Sequence, residues 1–157
     1  MKAPAPAILP LNSTDVSLQL VGGKGRSLAK LAVVGLPVPT GFLLATSAYQ
    51  DFVDFHDLRE AILEIVAATT TDDTASLDTA SARIQALFDA AELPPRIVEP
   101  IANAYAALDG DDPPVAVRSS ATAEDLPELS FAGQHDTYLN VSGEAAVLDA
   151  VRRCWAS

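Results

Sequence analysis

Cysteine is nearly absent from this 157-residue chain. Cys154 stands alone, which excludes an internal disulfide framework and leaves no cysteine cluster for zinc. Aromatic residues make up only 6% of the sequence, so a core has to be built mainly from Ala, Val, Leu and Ile. No segment approaches the ~20 consecutive apolar residues of a membrane span. Met1-Lys2-Ala3-Pro4-Ala5-Pro6 carries one positive charge, with no long apolar run behind it. A secretory leader is therefore not expected, and a cytoplasmic protein is. Basic residues are scarce as well: 10 Lys and Arg stand against 21 Asp and Glu, for a net charge of −11. What the chain does have is 49% hydrophobic content, enough for the core of one ordinary domain.

The charge is unevenly placed. Residues 51–112 carry 14 acidic and 3 basic side chains, and the flanks carry 7 of each sign. The middle thus supplies the whole −11. An acidic middle excludes a nucleic-acid backbone as partner, since that needs clustered Lys and Arg. Its plain reading is a solvated helical face that keeps the protein soluble. Chemistry is expected in the neutral flanks.

Three zones follow from the pattern of apolar residues and breakers. In residues 1–55 a Pro-rich lead reaches Val21-Gly22-Gly23-Lys24-Gly25 at a helix start. The helix that follows has Leu28, Leu31 and Ala32 on one face and Gly35 as its C-terminal stop. Phe42-Leu43-Leu44-Ala45 reads as a buried strand, and Thr46 or Ser47 as the cap of a helix bearing Tyr49, Phe52 and Val53. Residues 56–112 read as three helices. One carries Leu58, Ala61, Ile62, Ile65 and Val66 inward, and a second carries Leu77, Ala80, Ile84, Leu87 and Phe88. The third opens on Pro94-Pro95, with Ile97, Ile101, Tyr105 and Leu108 inward. In residues 113–157 the strand Val115-Ala116-Val117 leads into Arg118, residues 135–141 alternate as a strand, and a helix from Gly143 carries Val147, Leu148, Val151, Cys154 and Trp155. That helix stops at Ser157 without Gly, Pro or a polar run, as expected of a domain truncated at its C-terminus. Strands before and after a block of helices make the class α+β or α/β.

Few residues in these zones can carry chemistry. Gly22-Gly23-Lys24-Gly25 could offer backbone N–H groups and a lysine to phosphate, although the spacing is not that of the P-loop. Alone, it reads more readily as a plain glycine turn before a helix. Arg118, at the end of an apolar strand, is suited to bidentate contact with phosphate oxygens, or to an ion pair with Glu124 or Asp125. Gly133, in Leu129-Ser130-Phe131-Ala132-Gly133-Gln134, would let backbone N–H groups approach an anion, or simply make a hairpin turn. Thr137 could face a ligand or the core. Ser119, Ser120 and Thr122 could contact a ligand, although small polar loop residues usually just make turns. Glu124-Asp125 as a magnesium pair has solvent exposure as its rival. His56 and His135 lack an activating partner in sequence, and Cys154 reads as a small buried hydrophobe.

Three ordered blocks, however, resemble one family. Val21-Gly22-Gly23-Lys24-Gly25-Arg26-Ser27-Leu28 with Gly35-Leu36-Pro37-Val38-Pro39-Thr40-Gly41-Phe42 is similar to the opening of the phosphoenolpyruvate synthase, rifampicin phosphotransferase and pyruvate phosphate dikinase family. Val115-Ala116-Val117-Arg118-Ser119-Ser120-Ala121-Thr122-Ala123-Glu124-Asp125-Leu126-Pro127 resembles its next block. Ser130-Phe131-Ala132-Gly133-Gln134-His135-Asp136-Thr137-Tyr138-Leu139-Asn140 resembles the one after. Two departures are Gly25-Arg26 after Gly-Gly-Lys, and Leu129 where the family has a small residue.

The resemblance implies an α+β fold: the first subdomain of an ATP-grasp-type nucleotide-binding domain, with a mixed sheet, flanking helices and the acidic helices as an insertion. It implies that Lys24 and Arg118 contact ATP phosphates, that Gly133 offers a backbone N–H to them, and that Thr137 contacts the nucleotide. No catalytic residue and no metal ligand is expected in this chain. Mg2+ ligands, the second ATP-binding subdomain and a phosphohistidine domain are expected elsewhere in the parent enzyme. That enzyme would cleave ATP to AMP, phosphorylate its histidine and pass the phosphate to pyruvate or a rifamycin. The chain alone would be inactive. The alternative is a free-standing, non-catalytic nucleotide-binding or protein-interaction module.

Overall fold

The computed structural model describes residues 7–70, 72–122 and 136–157. Ten elements lie in this order: β1 (Ile8–Pro10), α1 (Leu18–Val33), β2 (Phe42–Leu44), α2 (Thr46–Phe55), α3 (Leu58–Ala67), α4 (Thr74–Ala90), α5 (Pro95–Ala106), β3 (Val115–Arg118), β4 (Thr137–Val141) and α6 (Glu144–Ala156). The class is a mixture of helix and strand, as expected. The mixed sheet is not what the described residues form. They make two separate antiparallel pairs, β1 with β2 and β3 with β4. Both pairs are short because Pro10 ends β1 and a bulge interrupts the second ladder.

Helix boundaries follow local chemistry. Ser17 caps α1 by accepting from the Leu20 N–H at 3.2 Å. A first helical turn thus precedes the glycines, and the longer helical run restarts after a break at Gly22, where the sequence placed a helix start. Its end is a Schellman turn: Gly35, at φ +79°, donates to Ala32, and Leu36 donates to Leu31, both at 3.1 Å. The inward face is Val21, Gly25 and Ala29, spaced by four, while Leu31 is exposed. The cap of α2 is Ala45 rather than Thr46 or Ser47. The Thr46 hydroxyl instead donates to the Gln19 carbonyl at 2.7 Å and ties α2 to α1. Asp73 caps α4 by accepting from Ala75, and Pro95 occupies the first turn of α5.

The main core joins α2, α4, α5 and α6. Most of its buried side chains are Ala, Val, Leu or Ile, as composition suggested, and the largest fully buried ones are Phe52, Phe88 and Ile101. Tyr49, Phe52, Phe88 and Trp155 form one aromatic cluster, with Phe52 stacked on Phe88 at 5.5 Å and tilted against Trp155 at 5.3 Å. The outer members of the expected stripes, Val66 and Leu77, lie exposed, and the inner ones, Leu58, Ile65, Ile97, Ile101 and Tyr105, are buried. Arg152 of α6 donates to the Phe88 carbonyl at 3.1 Å and also to that of Asp89, satisfying the last turn of α4. A second, smaller core of Val21, Ala29 and Leu43 lies under α1 and β2, with Leu9, Leu11, Val16 and Leu20 around it.

Candidate functional site

β3 is aimed by the helix that precedes it. The Tyr105 hydroxyl donates to the Pro113 carbonyl and accepts from the Gly143 N–H, each at 2.9 Å. One buried phenol thereby fixes the entry to β3 and the start of α6. Along the ladder Val115 faces Val141, Val117 faces Tyr138 and Arg118 faces Thr137. Leu139 and Asn140 together oppose Ala116, and Asn140 takes up the bulge at φ +55°. Val117 and Tyr138 are half-buried, whereas Arg118 and Thr137 are both exposed. Cross-strand partners lie about 4.5–5.5 Å apart at Cβ, so the arginine and the threonine stand side by side.

The Cys154 thiol lies at the end of this pair, 3.7 Å from the carbonyl oxygens of both Val117 and Asp136. Burial, with a smaller contribution from Asp136, pushes its pKa up to about 11. It is a protonated, buried side chain, as its place on the inward stripe suggested.

Beyond Arg118 the chain meets α1. Gly22 breaks that helix with φ 71° and ψ 178°, a conformation that only glycine adopts at ease. A Cβ there would collide with the carbonyl and hydroxyl oxygens of Ser120. On either side of Lys24 the backbone is bonded to the same loop. The Gly23 N–H donates to the Ala121 carbonyl at 3.0 Å, and the Gly25 N–H donates to the Ser120 hydroxyl at 3.0 Å. Two amides read from sequence as phosphate donors are thus spent on the Arg-Ser-Ser loop. The helix turn contributes Lys24 itself, half-buried between them. The Ser119 hydroxyl is buried with no hydrogen-bond partner among the described residues, directly beside Arg118.

The junction therefore ties the Lys24 turn of α1 to the loop that follows Arg118 at the end of β3, and Arg118 in turn pairs with Thr137 of β4. Gly133 lies outside the described residues, as do Glu124, Asp125 and His135. His56 is structural: its Nε2–H donates to the Glu92 carbonyl at 2.7 Å, and its ring packs on Phe52 and Phe55. Among the described residues no three His, Cys, Asp or Glu side chains gather as metal ligands. Two shallow grooves, of about 320 and 310 Å³, lie between α3 and α4 and beside Pro39 and Leu108, and neither touches Lys24, Arg118 or Thr137. Sequence reasoning weighed Ser120 only as a ligand contact or a turn residue and gave Ala121 no role. The signal that could have found them is their place directly after the arginine, inside a recognised block.

Comparison with known proteins shows the family of the chain. A model of the family described as pyruvate phosphate dikinase, AMP/ATP-binding domain, matches residues 18–157. A probable phosphoenolpyruvate synthase of Methanothermobacter thermautotrophicus is 44% identical over 151 residues, covering 94% of this chain and 22% of its own length. A rifampicin phosphotransferase of Streptomyces sviceus is 43% identical over 152 residues, covering 96% and 17%. The Bacillus subtilis rifampicin phosphotransferase is 39% identical over 141 residues, covering 89% and 16%. The chain spans about a fifth of the length of these curated relatives. Both segments of the junction, Gly-Gly-Lys and Arg-Ser-Ser, fall inside the matched region, and the chain belongs to the pyruvate phosphate dikinase AMP/ATP-binding domain family.

Proposed function

We propose that this chain supplies the first ATP-binding subdomain, of ATP-grasp type, to a longer cytoplasmic phosphotransferase. Lys24 sets a point charge against the ATP phosphates, and Arg118 sets a planar fork against them. Thr137, opposite Arg118, gives its hydroxyl to the nucleotide, and Gly133 covers the phosphates with a backbone N–H. Phosphoryl transfer depends mainly on positioning and on stabilising charge, which is the work these groups are suited to. The second subdomain, Mg2+ and its carboxylates, and the phosphocarrier histidine lie in other parts of the enzyme. The histidine hands its phosphate to pyruvate or to a rifamycin.

The observation that carries this reading is the junction itself. A lysine-bearing turn and an arginine-bearing strand end, 94 residues apart in sequence, are bonded through Gly23, Gly25, Ser120 and Ala121. The family and the names of the relatives supply the nucleotide and the reaction class. The test is AMP formation from ATP by the full-length enzyme, with pyruvate and rifampicin offered side by side. One acceptor is expected to support AMP release, and Lys24→Ala and Arg118→Ala are each expected to abolish it. Wild-type rates in either variant would overturn the assignment.

A further inference from the structure

Ser120 occupies an unusual place for a loop serine. Its hydroxyl accepts the Gly25 N–H at 3.0 Å, and its carbonyl and hydroxyl oxygens fill the space where a Gly22 side chain would be. The next residue, Ala121, accepts the Gly23 N–H at 3.0 Å. Lys24 is bracketed between the two bonded amides, so its backbone has no freedom that is independent of the Arg118 loop. Two residues back along the same loop, Arg118 is held by its pairing with Thr137.

We propose that Ser120 is a positioning residue that sets Lys24 relative to Arg118, so that the two cations meet one polyphosphate as a single preformed unit. This rests on the reading of Lys24 and Arg118 as phosphate contacts. The hydroxyl is the fitted part. Without it the Gly25 N–H is left unpaired in a part-buried setting, and the turn can relieve that cost only by moving, carrying Lys24 with it. Preorganisation of this kind lowers the cost of binding an anion, because the charges need not be assembled when the ligand arrives.

The test is steady-state kinetics of the full-length enzyme with ATP varied. Ser120→Ala is expected to raise KM for ATP about tenfold while leaving KM for the phosphate acceptor unchanged. A merely structural role would lower the amount of active enzyme, and so apparent kcat, with no change in KM for ATP. Ser120→Thr keeps the acceptor oxygen and is expected to hold KM for ATP within about twofold of wild type. Should Ser120→Ala accumulate poorly, Ser120→Cys keeps the side-chain size with a weaker acceptor and is expected to show the same rise. An unchanged KM in Ser120→Ala or Ser120→Cys, with Lys24→Ala strongly impaired, overturns the inference while sparing the phosphate reading. A Lys24→Ala enzyme with wild-type kinetics removes that reading and the inference together.

Discussion

The acidic helices α3 to α5 and the junction of α1, β3 and β4 are built by different means. In the helical region the stabilising contacts come from side chains, with Phe88, Ile97, Ile101 and Tyr105 buried and the acidic residues turned to solvent. A charged pair such as Arg59 with Asp54 sits in the open and holds little. At the junction the contacts centre on main-chain amides: two glycine N–H groups on a carbonyl and a serine hydroxyl, and a glycine Cα pressed against Ser120. A region held by side-chain volume tolerates changes on its surface and fails when a large group is removed from its centre. A junction that depends on close approach to a glycine backbone fails when one methyl group is added. The difference sets the helical scaffold apart from the candidate site.

That contrast can be broken in several places. The largest effect is expected in the scaffold, where Phe88→Ala should cost about 4 kcal/mol of stability by denaturant unfolding, since it empties the aromatic cluster. At the junction, Lys24→Ala and Arg118→Ala should leave the unfolding midpoint near wild type. Each should lower ATP-dependent AMP formation by the full-length enzyme at least about 100-fold, equivalent to ~2.7 kcal/mol. Next, Gly22→Ala should destabilise by about 2 kcal/mol and weaken ATP binding, because a Cβ meets Ser120 in a backbone region closed to alanine. Tyr105→Phe removes a donor to Pro113 and an acceptor for Gly143 and should cost about 1 kcal/mol. An equal loss of ATP affinity in Tyr105→Phe and Gly22→Ala would erase the boundary between the two regions.

The smallest effect concerns Cys154. Its native pKa, raised from near 9 to about 11 by burial, means that the folded protein keeps a proton the unfolded chain has lost. Its contribution is complete below pH 9 and declines as pH rises towards 11. Iodoacetamide labelling at pH 8 should be slow in the folded protein and fast in denaturant. Rapid labelling of the native protein would show that the β3–β4 pair does not cover the thiol.

Much of the scaffold was legible in the sequence because its signals are local. Pro94-Pro95 at the start of α5, Gly35 after α1 and the inner apolar stripes were each read from a few neighbouring residues, and each stands where expected. Thr46 and Ser47 misled because the hydroxyl that would have capped α2 bonds to the distant Gln19 carbonyl instead. Composition was right that aliphatic residues make up most of the core, but a 6% aromatic content says nothing of where the rings gather. At the site, the residue types at Lys24, Arg118 and Thr137 were legible, but their arrangement was not. The Gly25–Ser120 bond spans 95 positions, and the pairing of Arg118 with Thr137 depends on a bulge at Asn140 that strand alternation does not reveal.

Hydrogen–deuterium exchange of the full-length enzyme, with and without ATP, tests the division between site and scaffold most directly. Nucleotide is expected to slow exchange in residues 22–26, 116–122 and 137–139 and to leave residues 58–90 unchanged. Protection confined to the acidic helices, with the junction unaffected, would contradict the account.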